Sequence, residues 1–231
     1  NTSDCTSMRV VAVVPAYNES NTVGSIIDET ATYVDEVVVV DDGSSDDTTV
    51  VAKDHGATVI PHAINTGVGG AVRTGYLYAI RNDYDFIIQI DADGQHDPSY
   101  IPELLAFAED SDMVIGSRYL NESYKNYSFV RNAGIQFFTA TVNFLGGMDI
   151  TDVTSGFGVY RVDQVSEILH HSDKHWEVEQ TLAAAREGHK TTEVSVEMPT
   201  RDEGESQFTL DTFAFYPIRM ADVMLRILLF R

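Results

Sequence analysis

The sequence predicts an α/β fold, a mostly parallel central sheet with helices on both faces. Three observations lead there. Short β-rich runs alternate with helical patterns through the first half of the chain, which is how strand-helix-strand units read. No internal repeat or low-complexity linker interrupts the alternation. A length of 231 residues with 43% hydrophobic content can bury one sizeable core.

The elements follow in order. RVVAVVP, from Arg9, is a valine-rich strand, and a helical pattern covers residues 23–33. EVVVV, from Glu36, is the second strand; Ser44 to Asp47 then supply a serine and acids, the ordinary cap of a helix over residues 47–55. ATVI, from Ala57, is the third. NTGVGGAVRTG sets Gly67, Gly69 and Gly70 at the start of a helix over residues 68–81, where glycines permit close packing; no Lys-Ser/Thr ending makes it a P-loop. DFIIQI, from Asp85, precedes a helix over residues 102–109, and DMVIGS, from Asp112, is the fifth strand.

After Tyr119 the rhythm changes to an apolar helix over residues 135–145, a glycine-bearing stretch DVTSGFGVYR, and a helical segment over residues 176–187. This half reads as an extension packed on the first. The final TFAFYPIRMADVMLRILLFR places Arg219, Asp222 and Arg226 three and four apart, on one face of an otherwise apolar helix. That suits a helix lying on a membrane surface or leading into later spans, and equally one docked on the protein's own core. It is too interrupted to span a bilayer.

The net charge is -21, from 15 basic and 36 acidic residues. Such a surface repels nucleic acid and anionic lipid. It is the balance expected of a salt-loving, archaeal source, because salt screens the self-repulsion. Cys5 is the only cysteine, so no intramolecular disulfide forms and a reducing cytoplasm fits. No signal peptide is visible, and a first residue of Asn suggests a fragment or a processed chain. The sequons at Asn1, Asn18, Asn121 and Asn126 read as chance matches. His170, His171 and His175 read as a solvated helix end, there being no Cys partner for zinc, and Trp176 as a packed core residue.

Ligands of open α/β sheets bind beyond the carboxyl ends of the strands. DFIIQI delivers Asp91 and Asp93 to that edge, and Gly94 permits the turn that brings both to one side. Two carboxylates this close repel unless a cation sits with them, and hard oxygen ligands select Mg²⁺ or Mn²⁺, which neutralise a diphosphate. An EF-hand fits poorly, with Gly94 fourth and Pro102 twelfth. Asp97, before Pro98, reads as a helix cap. VVPAYNES and VVVVDDGSSDDT bring Tyr17, Glu19, Asp41 and Asp42 to the same rim, with Asp42 placed to accept hydrogen bonds from a base or ribose and Tyr17 to pack against the base.

PAYNE, DDGSSDDT, the Asn-x-Gly-x-Gly-Gly run, DADGQHDP, GSR at Gly116 and TSGFGVYR, spread in order along the chain, together resemble the family 2 glycosyltransferases. The resemblance is to the dolichyl-phosphate mannose synthase and polyprenyl-phosphate glycosyltransferase branch. It implies the nucleotide-sugar-binding glycosyltransferase A-type fold, a divalent metal (Mg²⁺ or Mn²⁺) and inversion at the anomeric carbon. It implies a catalytic domain over residues 1–210, with a nucleotide-sugar half over 1–118 and an acceptor half over 119–210, and a membrane-proximal helix over 211–231. Asp91 and Asp93 fall on the metal and diphosphate positions with Gln95 beside them. Pro15, Ala16, Tyr17, Glu19 and Asp42 fall on the nucleotide pocket, to which Gly67 is added. Arg118 and Arg131 match basic positions facing the acceptor phosphate or the diphosphate. Arg201 and Ser206 match an Arg...GESK element in which Gln207 replaces Lys. Gly158 stands where many relatives have Arg, leaving Arg161 as the nearest cation.

The expected activity is transfer of a hexose from a UDP- or GDP-sugar to dolichyl or other polyprenyl phosphate at the cytoplasmic face of the cell membrane, giving a lipid-linked sugar for protein N-glycosylation. A phosphate acceptor needs no strong general base, so Asp152 is either a helper near the acceptor or a turn cap. The rivals are a soluble family 2 transferase extending a polysaccharide and a catalytically silent nucleotide-sugar-binding scaffold.

Overall fold

The computed structural model describes residues 8–121, 129–169 and 176–198. The chain runs β1 (Val10–Ala16), α1 (Val23–Thr30), β2 (Glu36–Asp41), α2 (Thr48–Asp54), β3 (Thr58–Pro61), α3 (Val68–Arg81) and β4 (Phe86–Gln89). A 3-10 turn over Pro98–Tyr100 leads into α4 (Ile101–Ala108), followed by β5 (Met113–Ser117), α5 (Phe129–Gly146), β6 (Gly158–Arg161), α6 (Val162–Ile168), α7 (Trp176–Glu187) and β7 (Thr191–Ser195).

One seven-stranded sheet has the order β3-β2-β1-β4-β6-β5-β7. Only β6 runs against the rest, antiparallel to both β4 and β5. Because β6 sits between β4 and β5, the segment beyond Tyr119 is built into the sheet itself.

Alternation along β1 explains the two layers. Val10, Ala12, Val14 and Ala16 face a core closed by α1, α2 and α4. Val11 and Val13 face a second core closed by α3, α6 and α7. Each fully buried aliphatic side chain contributes roughly 1.5–3 kcal/mol. Gly75 lets α3 approach β1: a Cβ there would stand 2.2 Å from Cγ1 of Val13. Trp176 is buried, packed edge-on against Tyr76.

The expected elements of the first half are present with ends shifted by a few residues. β6, α6 and β7 carry weak sequence signals: β6 is four residues long and begins at a glycine, and β7 reads TTEVS. α5 is longer than the expected helix, starting at Phe129.

Candidate active site

The carboxyl ends of β1, β2, β4 and β5 share one rim, to which antiparallel β6 adds its beginning. Loops there are tied together by side chains. Asn18 N–H donates to Ser44 Oγ at 2.9 Å and Glu19 N–H to Thr48 Oγ1 at 2.9 Å. The hydroxyl of Thr22 donates to the Ala92 carbonyl at 2.7 Å, fastening the loop after β1 to the acidic loop after β4. Pro15 and Ala16 are buried at the end of β1, Glu19 is half-buried, and Tyr17 is 46% exposed at the rim.

Asp91 and Asp93 stand half-buried just beyond β4. Gly94 takes a positive φ of 76°, a turn that costs a residue with Cβ strain. The Gln95 N–H closes the turn on Asp93 Oδ1 at 3.0 Å. Opposite, Gly156 leaves room for the first carboxylate: a Cβ there would lie 3.0 Å from Asp91 Oδ2. Beneath the loop, His96 is 5% exposed and its ring stacks on Phe157, centroids 5.1 Å apart. Its Nδ1 accepts the Asp91 N–H at 3.0 Å, so the ring proton resides on Nε2, which faces Asp91 Oδ2 at 3.8 Å. Burial pushes its pKa down to about 4; Asp93 and Asp152 act upward, and Arg118 acts downward. Sequence reasoning assigned no role to His96 or Gly156. The tripeptide after the acidic pair held the one clue to His96, and nothing in spacing announces Gly156, which arrives from the far side of β6.

Asp97 accepts the Ser99 N–H at 2.8 Å and caps the 3-10 turn, as expected. Asp46 accepts the Thr48 N–H at 3.0 Å at the start of α2, the structural role read for Ser44 to Asp47.

Three expectations change. Asp42 is 3% exposed, and its carboxylate serves the protein: Oδ1 accepts from His62 Nδ1 at 2.7 Å and Thr66 N–H at 2.9 Å, Oδ2 from Gly67 N–H at 2.7 Å. Burial pushes its pKa up, and the bonds from Thr66, His62 and Gly67 outweigh that and hold it low. Asp42 therefore clips the glycine loop to β2 instead of presenting a free acceptor to a base or ribose. Gly67, with φ 89° and ψ 161°, starts α3 in a conformation only glycine adopts readily.

Asp152 is wholly buried and forked onto Arg118: Nε donates to Oδ2 at 2.6 Å and Nη2 to Oδ1 at 2.7 Å, while the same Nη2 reaches Thr154 Oγ1 at 2.7 Å. Thr154 N–H also closes on Asp152 Oδ1 at 3.3 Å, so of its two readings Asp152 is the turn cap. Arg118 stands at the end of β5 as expected, but buried, with this fork directed into the protein.

Arg161 pairs in register with Phe86, at the start of β4, and its guanidinium lies over the Phe86 ring at 5.6 Å. That is the opposite edge of the sheet, so Arg161 does not replace a cation at Gly158, which pairs with Gln89 near the rim.

Arg131 lies on α5, in the part whose side chains are not described. Arg201, Ser206, Gln207, the C-terminal helix and the three histidines at 170, 171 and 175 fall outside the described residues.

Among the described residues no group of three or more His, Cys, Asp or Glu is placed to hold a metal. The Asp91 and Asp93 pair still fits a hard divalent ion, which in such sites takes one or two carboxylates and completes its shell with substrate phosphates and water. The missing Cβ at Gly156 keeps the first carboxylate uncrowded, since one would stand 3.0 Å from Asp91 Oδ2.

A mostly parallel sheet that gathers a carboxylate pair and the β1 and β2 loops at one rim is the arrangement of the glycosyltransferase A-type fold. The chain belongs to glycosyl transferase family 2, whose profile matches residues 11–169. It is 31% identical over 216 residues to an undecaprenyl-phosphate mannosyltransferase of Micrococcus luteus, covering 87% of this chain and 88% of that one. It is 30% identical over 175 residues to a UDP-N-acetylglucosamine–dolichyl-phosphate N-acetylglucosaminyltransferase of Methanococcus voltae, covering 65% and 68%. The crystal structure of glucosyl-3-phosphoglycerate synthase from Mycobacterium tuberculosis with Mn²⁺, UDP-glucose and phosphoglyceric acid superposes with a TM-score of 0.74 at 20% identity, covering 96% of this chain and 80% of that one. That likeness shows the A-type fold.

Proposed function

We propose that this glycosyltransferase moves a hexose from a UDP- or GDP-sugar to a polyprenyl phosphate such as dolichyl phosphate, with Mg²⁺ or Mn²⁺ at Asp91 and Asp93. The observation that carries this reading is the carboxylate pair fixed at the sheet rim, seated against Gly156 and underpinned by His96. The likeness to two polyprenyl-phosphate transferases supports the acceptor class.

The chemistry is an in-line displacement. An acceptor phosphate oxygen bonds to the anomeric carbon, the bond from that carbon to the diphosphate oxygen breaks, and the nucleoside diphosphate leaves with inverted configuration at the sugar. When bound, the divalent ion would neutralise the departing diphosphate. The chain's own part is positioning: His96 holds the Asp91 backbone, Gln95 closes the turn on Asp93, and Asp42 sets the glycine loop. A phosphate monoester has its second pKa near ~6, so it is already nucleophilic at neutral pH and needs no base.

A hydroxyl acceptor would need a base, and Glu177 is the buried carboxyl that the test removes. Glu177, at the start of α7, is pushed up by burial, with Arg118 acting the other way. Incubation with labelled UDP- and GDP-sugars, Mn²⁺ and dolichyl phosphate separates the two. Labelled lipid that still forms with Glu177→Gln supports the phosphate acceptor; no labelled lipid from any donor, with an intact fold, contradicts it.

The reading extends to the cytoplasmic face of the membrane and to sugars destined for protein N-glycosylation. The charge of -21 supports a salt-adapted source.

A further inference from the structure

Glu193 is a half-buried carboxylate that the transfer chemistry above does not use. It lies in the middle of β7, the strand at the edge of the sheet, and pairs in register with Ile115 of β5. Both of its oxygens are engaged. Oε2 accepts the Thr151 N–H at 2.8 Å; Oε1 accepts the Asp152 N–H at 2.9 Å and the Thr151 hydroxyl at 3.1 Å. Burial raises its pKa, the bonds from Thr151 and Asp152 act downward, and the like charge of Asp152 acts upward. An edge-strand carboxylate is ordinarily left in water, whereas this one is turned onto two consecutive amides beside a second acid.

Two chains of hydrogen bonds run from this grip to Arg118. In the first, Asp152 has its amide on Glu193 and its carboxylate forked onto the Arg118 guanidinium, while the Arg118 N–H reaches Asp152 Oδ2 at 3.2 Å. In the second, the Thr151 hydroxyl proton goes to Glu193, so the Ser117 hydroxyl donates to Thr151 at 2.6 Å and accepts the Tyr119 N–H at 3.2 Å. Arg118 is thus held through its side chain and through both of its neighbours in sequence. A carboxylate only accepts, and its place at the end of the second chain fixes the direction of each bond in it. Among the described residues, Arg118 is the one Lys or Arg that the carboxyl end of a strand brings to the rim. With 5% of its surface exposed, it meets an anion only as far as its aim allows.

We propose that Glu193 is a positioning residue for the transfer: by fixing Thr151 and Asp152 it aims Arg118 at the acceptor's phosphate, without touching substrate itself. This rests on the polyprenyl phosphate reading above. A phosphate brought to the rim of a chain with net charge -21 meets strong repulsion, and a cation set in place beforehand offsets it where the reaction occurs. Glu193→Gln keeps the side chain's shape but puts an amide N–H₂ where N–H and O–H groups need an acceptor. The grip opens at one oxygen, and Arg118 loses the support of one of its two chains.

The test compares the full chain with its Glu193→Gln variant in two measurements. The first is the Nε–H magnetic resonance signal of Arg118 in protein carrying isotope-labelled arginine, identified by its loss in Arg118→Lys. It exchanges slowly with water in the wild type and at least about tenfold faster in the variant. The second uses dolichyl phosphate in detergent and the labelled nucleotide sugar that the wild type accepts: the acceptor KM rises at least about tenfold while the donor KM holds. A purely structural residue would lower the amount of active enzyme and leave both KM values in place. An unchanged Arg118 signal overturns the proposal, and so do KM values that move together or not at all. Should Glu193→Gln fail to fold, Thr151→Val takes its place, since it removes only the hydroxyl bonds to Glu193 and Ser117. The same directions are then expected, and the same results contradict them. If the wild type labels no lipid from any donor, the acceptor reading falls, and the Arg118 signal decides by itself whether Glu193 holds that side chain.

Discussion

The backbone N–H of Asp91 donates to Nδ1 of His96 at 3.0 Å, joining the first residue of the acidic pair to a buried, neutral imidazole. Neutrality is required by that bond, because a protonated Nδ1 could not accept. The His96 pKa of about 4 lies below the ordinary 6.5, so between these values the unfolded chain binds a proton that the native one refuses. Its contribution to stability is complete above pH 6.5 and is lost as pH falls toward 4, about 3 kcal/mol in all. Urea unfolding of the metal-free protein across that window should show the loss. His96→Gln, which does not titrate, should flatten it.

Gly156→Ala places a methyl group 3.0 Å from Asp91 Oδ2. The carboxylate must turn away, so the Mn²⁺ concentration giving half-maximal turnover should rise about tenfold or more, the equivalent of roughly 1.4 kcal/mol. Thermal melting, followed in parallel, should change little, since the neighbour that yields is a half-exposed side chain.

Asp152→Asn leaves Arg118 buried without its counter-charge. Breaking one side of such a pair costs roughly 3–5 kcal/mol. Denaturant unfolding should register a loss of that size, and Asp152→Ala should be no milder.

Asp42→Asn substitutes an amide that cannot accept the His62, Thr66 and Gly67 bonds at both of its ends. The expected loss is about 1–3 kcal/mol of stability, with the KM for donor rising as the glycine loop loosens. A raised donor KM with unchanged melting would restore the base-reading role expected from the sequence.

The sequence disclosed the parallel half of the sheet because near-continuous valine and isoleucine runs such as VVVV and FIIQ are what a strand buried on both faces requires. It disclosed Asp91 and Asp93 because a strand end in an open sheet is where ligands bind. It hid what depends on long-range pairing. β6 enters between β4 and β5, and it is this antiparallel insertion that carries Gly156 and Phe157 under the acidic loop and takes Arg161 to the far edge. Arg118 and Asp152 were each visible as charges, but 34 residues separate them in sequence, and only the fold shows that they neutralise one another.

The central claim is that Asp91 and Asp93 hold a divalent ion against a sugar donor's diphosphate. A crystal of the enzyme grown with Mn²⁺ and its nucleotide sugar tests it most directly. The account predicts manganese bound by oxygens of both carboxylates and of the diphosphate; manganese elsewhere, or a donor bound with those two side chains engaged only by protein, would contradict it.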